Sequence, residues 1–317
     1  MSEAKVEVLN SYENTEELAK KFPTQNPTPV YTSMERSIQN RLLTGFENWN
    51  RGFEAWKAWG DILYTPQSLY NVHAVHLTLG EYQMAMKATL RANDIQMGDF
   101  KNMVIVDDWC AIHYEIATIS RETGDVHPGS VMEFVQFKDY GEELGTRVVE
   151  GWAGTRGADY AGLGYFQTAE EKAAQKAMMD AIANTVLPVT DKLEEKYPVL
   201  HPTTIRTELA HRIKDALLQD FEHWNCGYDD WSAWADHFYS VALAYHTDAG
   251  VMTLTEYKES EQGNTSKRLY FDSMLIAGDW AAIHYRTVFN GEASSRMQFL
   301  RFAQDGDNLK VTEVWTK

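Results

Sequence analysis

Several residue types and segments are scarce in this 317-residue chain, and each scarcity argues against a class of protein. The two cysteines, Cys110 and Cys226, form no C-x-x-C pair, so neither a disulfide framework nor a zinc site is indicated. The chain has no apolar run long enough to span a membrane, and its first residues carry neither a basic nor an apolar leader region. We therefore expect no membrane partner and a cytoplasmic location.

Positive charge is also in short supply. There are 29 Lys and Arg residues against 46 Asp and Glu residues, which gives a formal net charge of −17. Such a field repels phosphate backbones, so nucleic acid is a poor partner. The P-loop, G-x-G-x-x-G, H-E-x-x-H and G-x-S-x-G motifs are absent, and His73-x-x-His76 has no third ligand nearby. We therefore predict no cofactor and no metal.

The chain does contain a long internal repeat. The stretch Thr15–Tyr82 recurs without a gap as Thr190–Tyr257, and 26 of the 68 aligned positions are identical. The repeat predicts two domains, residues 1–154 and 190–317, joined by a helical linker at 155–189. Later blocks also match, at offsets that fall from 175 to 171, 165 and 163: Asp108–Tyr114 with Asp279–Tyr285, Met132–Phe137 with Met297–Phe302, and Glu150–Trp152 with Glu313–Trp315.

Each repeat changes from a helical period to a strand period. A proline-containing arm precedes an amphipathic helix, which carries Ile38, Leu42, Phe46 and Trp49 on one stripe and ends in a Trp-Asn-x-Gly sequence. A second short helix and a third helix starting near Thr78 should follow. Beyond about residue 98, alternating runs separated by turn residues predict an antiparallel strand meander. The predicted fold class is α+β.

The motifs resemble those of the SnoaL-like family, within the nuclear-transport-factor-two-like superfamily. The matching residues are Phe46-Glu47-x-Trp49-Asn50-x-Gly52 with Val148-x-Glu150-x-Trp152, and Phe221-Glu222-x-Trp224-Asn225-x-Gly227 with Val311-x-Glu313-x-Trp315. The resemblance implies two tandem cone-shaped domains, each with three helices packed on a curved antiparallel sheet around one apolar pocket. It also implies an intrachain pseudo-dimer, which could act as a monomer.

Four residues are candidate proton carriers. His113 and His284 sit in the middle of equivalent predicted strands, and imidazole transfers protons well near neutral pH. Which face of these strands lines the pocket cannot be read from the periodicity, and a hydrogen-bonded structural histidine is the alternative. Glu150 and Glu313, in the last strand, would be general acids if burial raised their pKa; a paired surface glutamate is the alternative.

A dense set of aromatic and polar residues could enclose a flat hydrophobic ligand. A helical aromatic stripe equally well fills a core, so both interpretations remain open. The candidates for ligand contact are Trp49, Trp56, Trp59, Tyr64, Asn71 and Trp109 in the first repeat, with Trp224, Trp231, Trp234, Tyr239, His246 and Trp280 in the second.

The function predicted for the chain is cofactor-independent acid–base chemistry, of lyase, isomerase or cyclase type, on a small hydrophobic or aromatic compound. The alternative is a non-catalytic binding or assembly module of the same fold, and a third possibility is one active and one inactive pocket. Three pairs of equivalent positions suggest that the pockets differ: Asn71 and His246, His73 and Asp248, and Glu115 and Arg286.

Overall fold

The structure is a computed structural model, and it describes residues 15–72, 75–142, 144–154 and 168–317. The chain divides into two compact units, residues 1–167 (unit 1) and 168–317 (unit 2). His73, one of the residues that distinguish the repeats, lies outside the described residues. Among the described residues, no helix is long and apolar enough to cross a membrane.

Unit 1 alternates helices and strands in the predicted order. Its arm holds a short helix and a strand, so the repeat has one helix more than the three predicted. The elements are α1 (Thr15–Lys21), β1 (Thr24–Pro27), α2 (Ser33–Asn50), α3 (Phe53–Leu63), β2 (Tyr64–Val72), β3 (Val75–Thr78), α4 (Leu79–Ala92), β4 (Asn93–Val106), β5 (Trp109–Ser120), β6 (Val126–Asp139) and β7 (Thr146–Gly154).

Unit 2 repeats this order after the predicted linker helix. The elements are α5 (Ala169–Ala183), α6 (Leu193–Lys196), β8 (Val199–His201), α7 (Glu208–Cys226), α8 (Tyr228–Phe238), β9 (Tyr239–Thr247), β10 (Gly250–Met252), α9 (Leu254–Ser260), β11 (Lys267–Ala277), β12 (Trp280–Phe289), β13 (Glu292–Asp305) and β14 (Asn308–Thr316). The linker helix α5 packs on β12 and β13. Helix α9 has 7 residues, whereas its counterpart α4 has 14.

Each unit contains one seven-stranded sheet, ordered β1-β4-β5-β6-β7-β2-β3 in unit 1 and β8-β11-β12-β13-β14-β9-β10 in unit 2. The predicted antiparallel meander is confirmed for β4–β7 and β11–β14. The sheets as a whole are mixed, because the arm strand pairs in parallel with the first meander strand, and the last meander strand pairs in parallel with the strand after the second helix.

The Trp-Asn-x-Gly sequence fixes the long helix to the sheet in both units. In unit 1 the indole of Trp49 donates to the Ile95 carbonyl at 2.8 Å, and the amide of Asn50 exchanges hydrogen bonds with the backbone of Met97 at 3.2 and 2.9 Å. In unit 2, Trp224 and Asn225 make the same bonds with Ser266 and Arg268. We call this arrangement the Trp-Asn clamp. It establishes that Met97 and Arg268 occupy equivalent places.

Candidate functional site

Unit 1 encloses a cavity of about 70 Å³ between its helices and one face of its sheet. A cavity needs roughly 10–15 Å³ to hold one water molecule, so this cavity has room for a small ring compound and not for a large one. Its walls are mostly apolar: Leu42, Trp49, Trp56 and Met86 come from the helices, and Ile112, Val135 and Phe137 from the meander. Sequence alternation explains this, because every second residue of β5 and β6 faces the helices.

One carboxyl group faces this apolar cavity. Glu133 lies on β6 between Val131 and Val135, which also line the cavity. Tyr114 on β5 donates a hydrogen bond from its hydroxyl to Glu133 Oε1 at 2.6 Å, and Tyr70 on β2 hydrogen-bonds to the same carboxyl group. Burial raises the pKa of Glu133, although both hydrogen bonds favour the carboxylate. Glu133 can therefore both hold and release a proton inside an apolar pocket.

Tyrosine hydroxyls surround this carboxyl group. Tyr64 and Tyr70 both line the cavity, and both have a raised pKa because of burial and the nearby negative charge of Glu133. The Tyr70 ring stacks on Tyr82 with 4.3 Å between centroids. It also lies against β7 at Gly151, where an added Cβ would come within 2.9 Å of the ring. These hydroxyls are therefore neutral hydrogen-bond donors.

The part of the cavity wall that helix α2 forms includes a glycine, Gly45. Gly45 faces the ring of Trp59, and a Cβ added at Gly45 would lie 2.4 Å from Trp59 Cη2. A distance that short is a steric overlap, so the indole can occupy this place only because residue 45 is glycine. Trp59 in turn lines the cavity.

The aromatic ligand candidates divide by unit and by sheet face. In unit 1, Trp49, Trp56, Trp59 and Tyr64 line the cavity, as the pocket-wall interpretation requires. In unit 2, Trp224 lines a cleft described below, whereas Trp231 and Tyr239 are buried in the core and Trp234 packs against it. Four further candidates line neither the cavity nor the cleft: Asn71, Trp109, His246 and Trp280.

His113 and His284 are buried on the sheet faces that point away from the cavity and the cleft. Their neighbours Ile112 and Tyr114 line the cavity, and Tyr285 lines the cleft, so alternation directs both histidines to the opposite face. Burial, together with Arg286 and His201, lowers the pKa of His284 well below its usual value. The geometry brings neither imidazole into a pocket, and their catalytic role stays a prediction.

Glu150 and Glu313 also lie outside the two pockets. Glu150 Oε1 accepts a hydrogen bond from Asn71 at 3.2 Å. Glu313 Oε1 accepts one from the indole of Trp315 at 2.9 Å and lies 3.5 Å from His246 Nε2. The structure therefore gives both glutamates polar partners on the strand face opposite the cavity, and their catalytic role stays a prediction. Asn71 and His246, which occupy equivalent positions, are therefore partners of these glutamates, and neither lines the cavity or the cleft.

The exchange of Glu115 for Arg286 does not alter the pockets. In unit 1, Glu115 pairs with Lys101 on the adjacent strand at 2.8 Å. In unit 2, Arg286 pairs with Asp272, which occupies the position equivalent to Lys101, at 2.6 Å. The two charges have changed places across the strands. The inference of different pocket electrostatics from this exchange was wrong, because neither pair lines the cavity or the cleft.

The interior of unit 2 differs from that of unit 1 at three equivalent positions. Gln298 stands in place of Glu133, Asp220 in place of Gly45, and Arg268 in place of Met97. Asp220 and Arg268 form a buried ion pair. The guanidinium carbon lies 4.1 Å from the Trp224 ring centroid and 5.2 Å from that of Phe221. A charged pair therefore fills space that is apolar and partly empty in unit 1.

The ion pair also explains the position of the third tryptophan of unit 2. Trp234 is the counterpart of Trp59, but Asp220 replaces the glycine that admits the ring in unit 1. Trp234 instead stacks on His223, with centroids 4.4 Å apart. The two aromatic sets therefore look alike in the sequence and serve different purposes.

The sequence prediction missed Glu133 and Tyr114 as site residues. A signal for Glu133 was available. In Val131-Met-Glu-Phe-Val-Gln-Phe137, the period of two puts a glutamate on the same face as two valines and a phenylalanine. A carboxyl group on an apolar strand face is either costly or functional. Comparison of the copies adds that this position is glutamine in the second repeat.

No three His, Cys, Asp or Glu side chains within the described ranges gather in a way that could hold a metal ion. The thiol of Cys110 is buried on the cavity side of β5, and burial raises its pKa well above the usual value. Cys226 is exposed at the end of α7.

Comparisons with known proteins identify similar folds. No family model and no curated protein matches the chain. Solved structures do match, each over about one unit. AclR from Streptomyces galilaeus is 18% identical and covers 43% of this chain and 100% of its own, with a TM-score of 0.34. Over about 40% of its length the chain is similar to SnoaL-like and ketosteroid isomerase-like structures.

Two further matches illustrate this resemblance. A SnoaL-like protein from Jannaschia sp. CCS1 is 14% identical and covers 40% of this chain and 90% of its own, with a TM-score of 0.34. A ketosteroid isomerase-like protein from Erwinia carotovora is 14% identical and covers 39% and 98%, with a TM-score of 0.31. Identities this low concern the fold and leave the activity of this chain to be argued from its own residues.

Proposed function

We propose that unit 1 catalyses cofactor-independent proton transfer on a small hydrophobic ring compound that carries a carbonyl group. The observation behind this proposal is Glu133, a partly buried carboxyl group with a raised pKa that faces an apolar cavity and is held by Tyr114 and Tyr70. A proton carrier needs a pKa near the working pH, and burial shifts Glu133 in that direction.

The reaction needs only groups that the cavity contains. The Glu133 carboxylate takes a proton from the carbon next to the substrate carbonyl, and the electron pair of that C–H bond moves towards the carbonyl oxygen. Neutral tyrosine hydroxyls donate hydrogen bonds to the oxygen as it gains charge, and we assign this role to Tyr64, which lines the same cavity. The protonated Glu133 then returns the proton to the same or another carbon, so no atom or electron is gained or lost.

The size of the cavity limits the substrate. About 70 Å³ suits a five- or six-membered ring rather than a polycyclic compound. Flat rings also match the walls, which include Trp49, Trp56 and Trp59.

Deuterium exchange tests the proposal with simple ring ketones in place of the natural substrate. The purified chain should accelerate the exchange of the α-protons of cyclohexanone or cyclohex-2-enone in heavy water, followed by NMR. Glu133→Gln preserves the shape and removes the proton carrier, so we expect a loss of about 100-fold or more. The rate should rise with pH through the raised pKa of Glu133, because the carboxylate is the reactive form.

A matched control is Glu115→Gln, a glutamate-to-glutamine change on the sheet face away from the cavity, which should leave the rate unchanged. The proposal fails if Glu133→Gln exchanges protons as fast as the unmodified chain. It also fails if His113→Gln together with His284→Gln abolishes exchange while Glu133→Gln does not, which would return the chemistry to the histidines.

For unit 2 the geometry favours binding without acid–base chemistry. Gln298 cannot carry a proton in place of Glu133, and its amide donates to the Tyr245 hydroxyl at 3.2 Å. This assignment corresponds to the division of labour between one active and one inactive pocket.

A further inference from the structure

Unit 2 has an open cleft where unit 1 has its cavity. The cleft measures about 660 Å³, and its floor uses the positions that line the cavity of unit 1. Tyr245, Tyr285 and Gln298 in the cleft correspond to Tyr70, Tyr114 and Glu133. The short helix α9 accompanies this opening, since the residues that follow it, 261–264, form part of the cleft rim.

Two arginines line this cleft at positions that are apolar in unit 1. Arg268 replaces Met97, and Arg296 replaces Val131. Arg296 is the cross-strand partner of Tyr285, and the Arg268 guanidinium carbon lies 5.6 Å from the centroid of the Tyr285 ring. The positive charges of both arginines lower the pKa of the Tyr285 hydroxyl against the larger, raising effect of burial. Arg268 is already paired with Asp220, whereas Arg296 is exposed and has no ion pair within the described residues.

The tyrosine pair lacks the acceptor that it has in unit 1. There, the Glu133 carboxyl group accepts hydrogen bonds from Tyr114 and Tyr70. In unit 2 the equivalent residue is an amide, Gln298, bonded to Tyr245. Tyrosine hydroxyls and guanidinium groups are the donors that bind carboxylates best. The cleft therefore combines donors for a carboxylate with no carboxylate from the protein at the central position.

Two carboxylates also line the cleft, and the negative charge of one of them, Glu261, contributes to the raised pKa of Tyr285. Glu261 lines the rim and accepts a hydrogen bond from Asn264, and Glu292 lies at the far end of the cleft, beside the turn that joins β12 to β13. The aromatic wall consists of Trp224 and Tyr257. An aromatic ring would find a hydrophobic surface there, with its acidic group directed towards Arg296 and Tyr285.

We propose that the cleft of unit 2 binds an aromatic carboxylate, whose carboxylate group lies beside Gln298, against Arg296 and the Tyr285 hydroxyl. The ligand is held by Arg296, Tyr285 and the paired Arg268 at one end and by Trp224 along its ring. This site is independent of the proton transfer proposed for unit 1, and it performs no chemistry.

The test compares benzoate with benzamide, which has the same shape and no charge, by isothermal titration calorimetry on the full chain. Benzoate should bind at least about 10-fold more tightly, because only the carboxylate forms charge-assisted hydrogen bonds. Arg296→Ala should weaken benzoate binding about 10-fold or more. Arg301→Ala removes an exposed arginine of the same strand that pairs with Asp279, and it should leave binding unchanged.

Gln298→Glu gives the sharpest result. It sets a protein carboxylate beside the proposed ligand carboxylate, so it should repel benzoate and weaken its binding at least about 10-fold. Equal binding of benzoate and benzamide would overturn the proposal, as would unchanged benzoate affinity in both Arg296→Ala and Gln298→Glu. Neither result bears on unit 1, since the deuterium-exchange rate is measured separately and depends on Glu133.

Discussion

The interiors of the two units differ far more than their frameworks. Both units have the arm strand, the Trp-Asn clamp, the same strand order and the tyrosine pair. Inside that common framework, unit 1 has a glycine, a methionine and a glutamate where unit 2 has an aspartate, an arginine and a glutamine. One set leaves a small apolar cavity with a single proton carrier. The other fills the interior with an ion pair and opens a polar cleft.

A duplicated domain can keep its fold while the buried carboxyl group of each copy takes a different role. Burial raises the pKa of both carboxyl groups, but Glu133 has tyrosine hydroxyls as partners and faces the cavity, so it remains available to a substrate. A carboxyl group buried beside a guanidinium group, as Asp220 is, becomes part of the packing.

The largest effect should come from breaking the buried ion pair. Asp220→Ala leaves the Arg268 guanidinium buried without its carboxylate, and we expect unit 2 to lose about 3–5 kcal/mol of unfolding free energy. Hydrogen exchange of peptides from β11 and α7, measured by mass spectrometry, reports on unit 2 separately from unit 1.

The double variant Asp220→Ala with Arg268→Met recreates an apolar pair like that of unit 1. It should recover most of the lost stability, because hydrophobic replacement of a buried ion pair is often neutral. If the double variant is as unstable as Asp220→Ala alone, the ion pair is not what the interior of unit 2 depends on.

A smaller effect should follow from filling the gap in α2. Gly45→Ala places a methyl group on the Trp59 ring and should destabilise unit 1 by about 1–3 kcal/mol, since the ring cannot move without repacking. Helix propensity alone predicts the opposite sign. The control is Gly80→Ala in α4, where an added Cβ meets nothing within 4 Å and should stabilise the helix slightly. A stabilising Gly45→Ala, read from hydrogen exchange in α2, would contradict the close packing.

The smallest effect should come from transplanting the reversed ion pair. Lys101→Asp with Glu115→Arg installs the unit 2 arrangement in unit 1, and it should change the unfolding free energy by less than about 1 kcal/mol, because these side chains are partly exposed. Lys101→Asp alone sets two carboxylates side by side and should cost more than the double change. A double variant worse than the single one would show that the charges are not interchangeable.

The sequence predicted the framework because local patterns specify it. The helix start near Thr78, the amphipathic stripe of α2 and alternation in the meander are short-range signals, and the structure confirms the elements they predicted. The parallel pairing of β2 with β7 joins residues about 80 positions apart, and no local pattern specifies such a pairing. The partners of Glu115 and Arg286 lie on the neighbouring strand, and irregularities that shift the strand register at Lys101 and Asp272 kept them from being read.

The face of β5 that lines the cavity could not be predicted for a different reason. Residues 109–114 are all buried, so alternation between buried and exposed positions, on which the inference depends, is missing there. His113 and Tyr114 were equally plausible inward residues. On β6 the strand does show one apolar face, and Glu133 interrupts it, which makes that position the informative one.

The Trp-Asn clamp allows the side chains beneath it to be substituted. Asn50 and Asn225 bond to backbone atoms of Met97 and Arg268, so the docking of the helix is indifferent to which side chain the strand carries at that point. A methionine can therefore become an arginine directly beneath the attachment without loosening it. The interior of each unit is free to acquire new chemistry because its assembly is specified by groups that every amino acid except proline supplies.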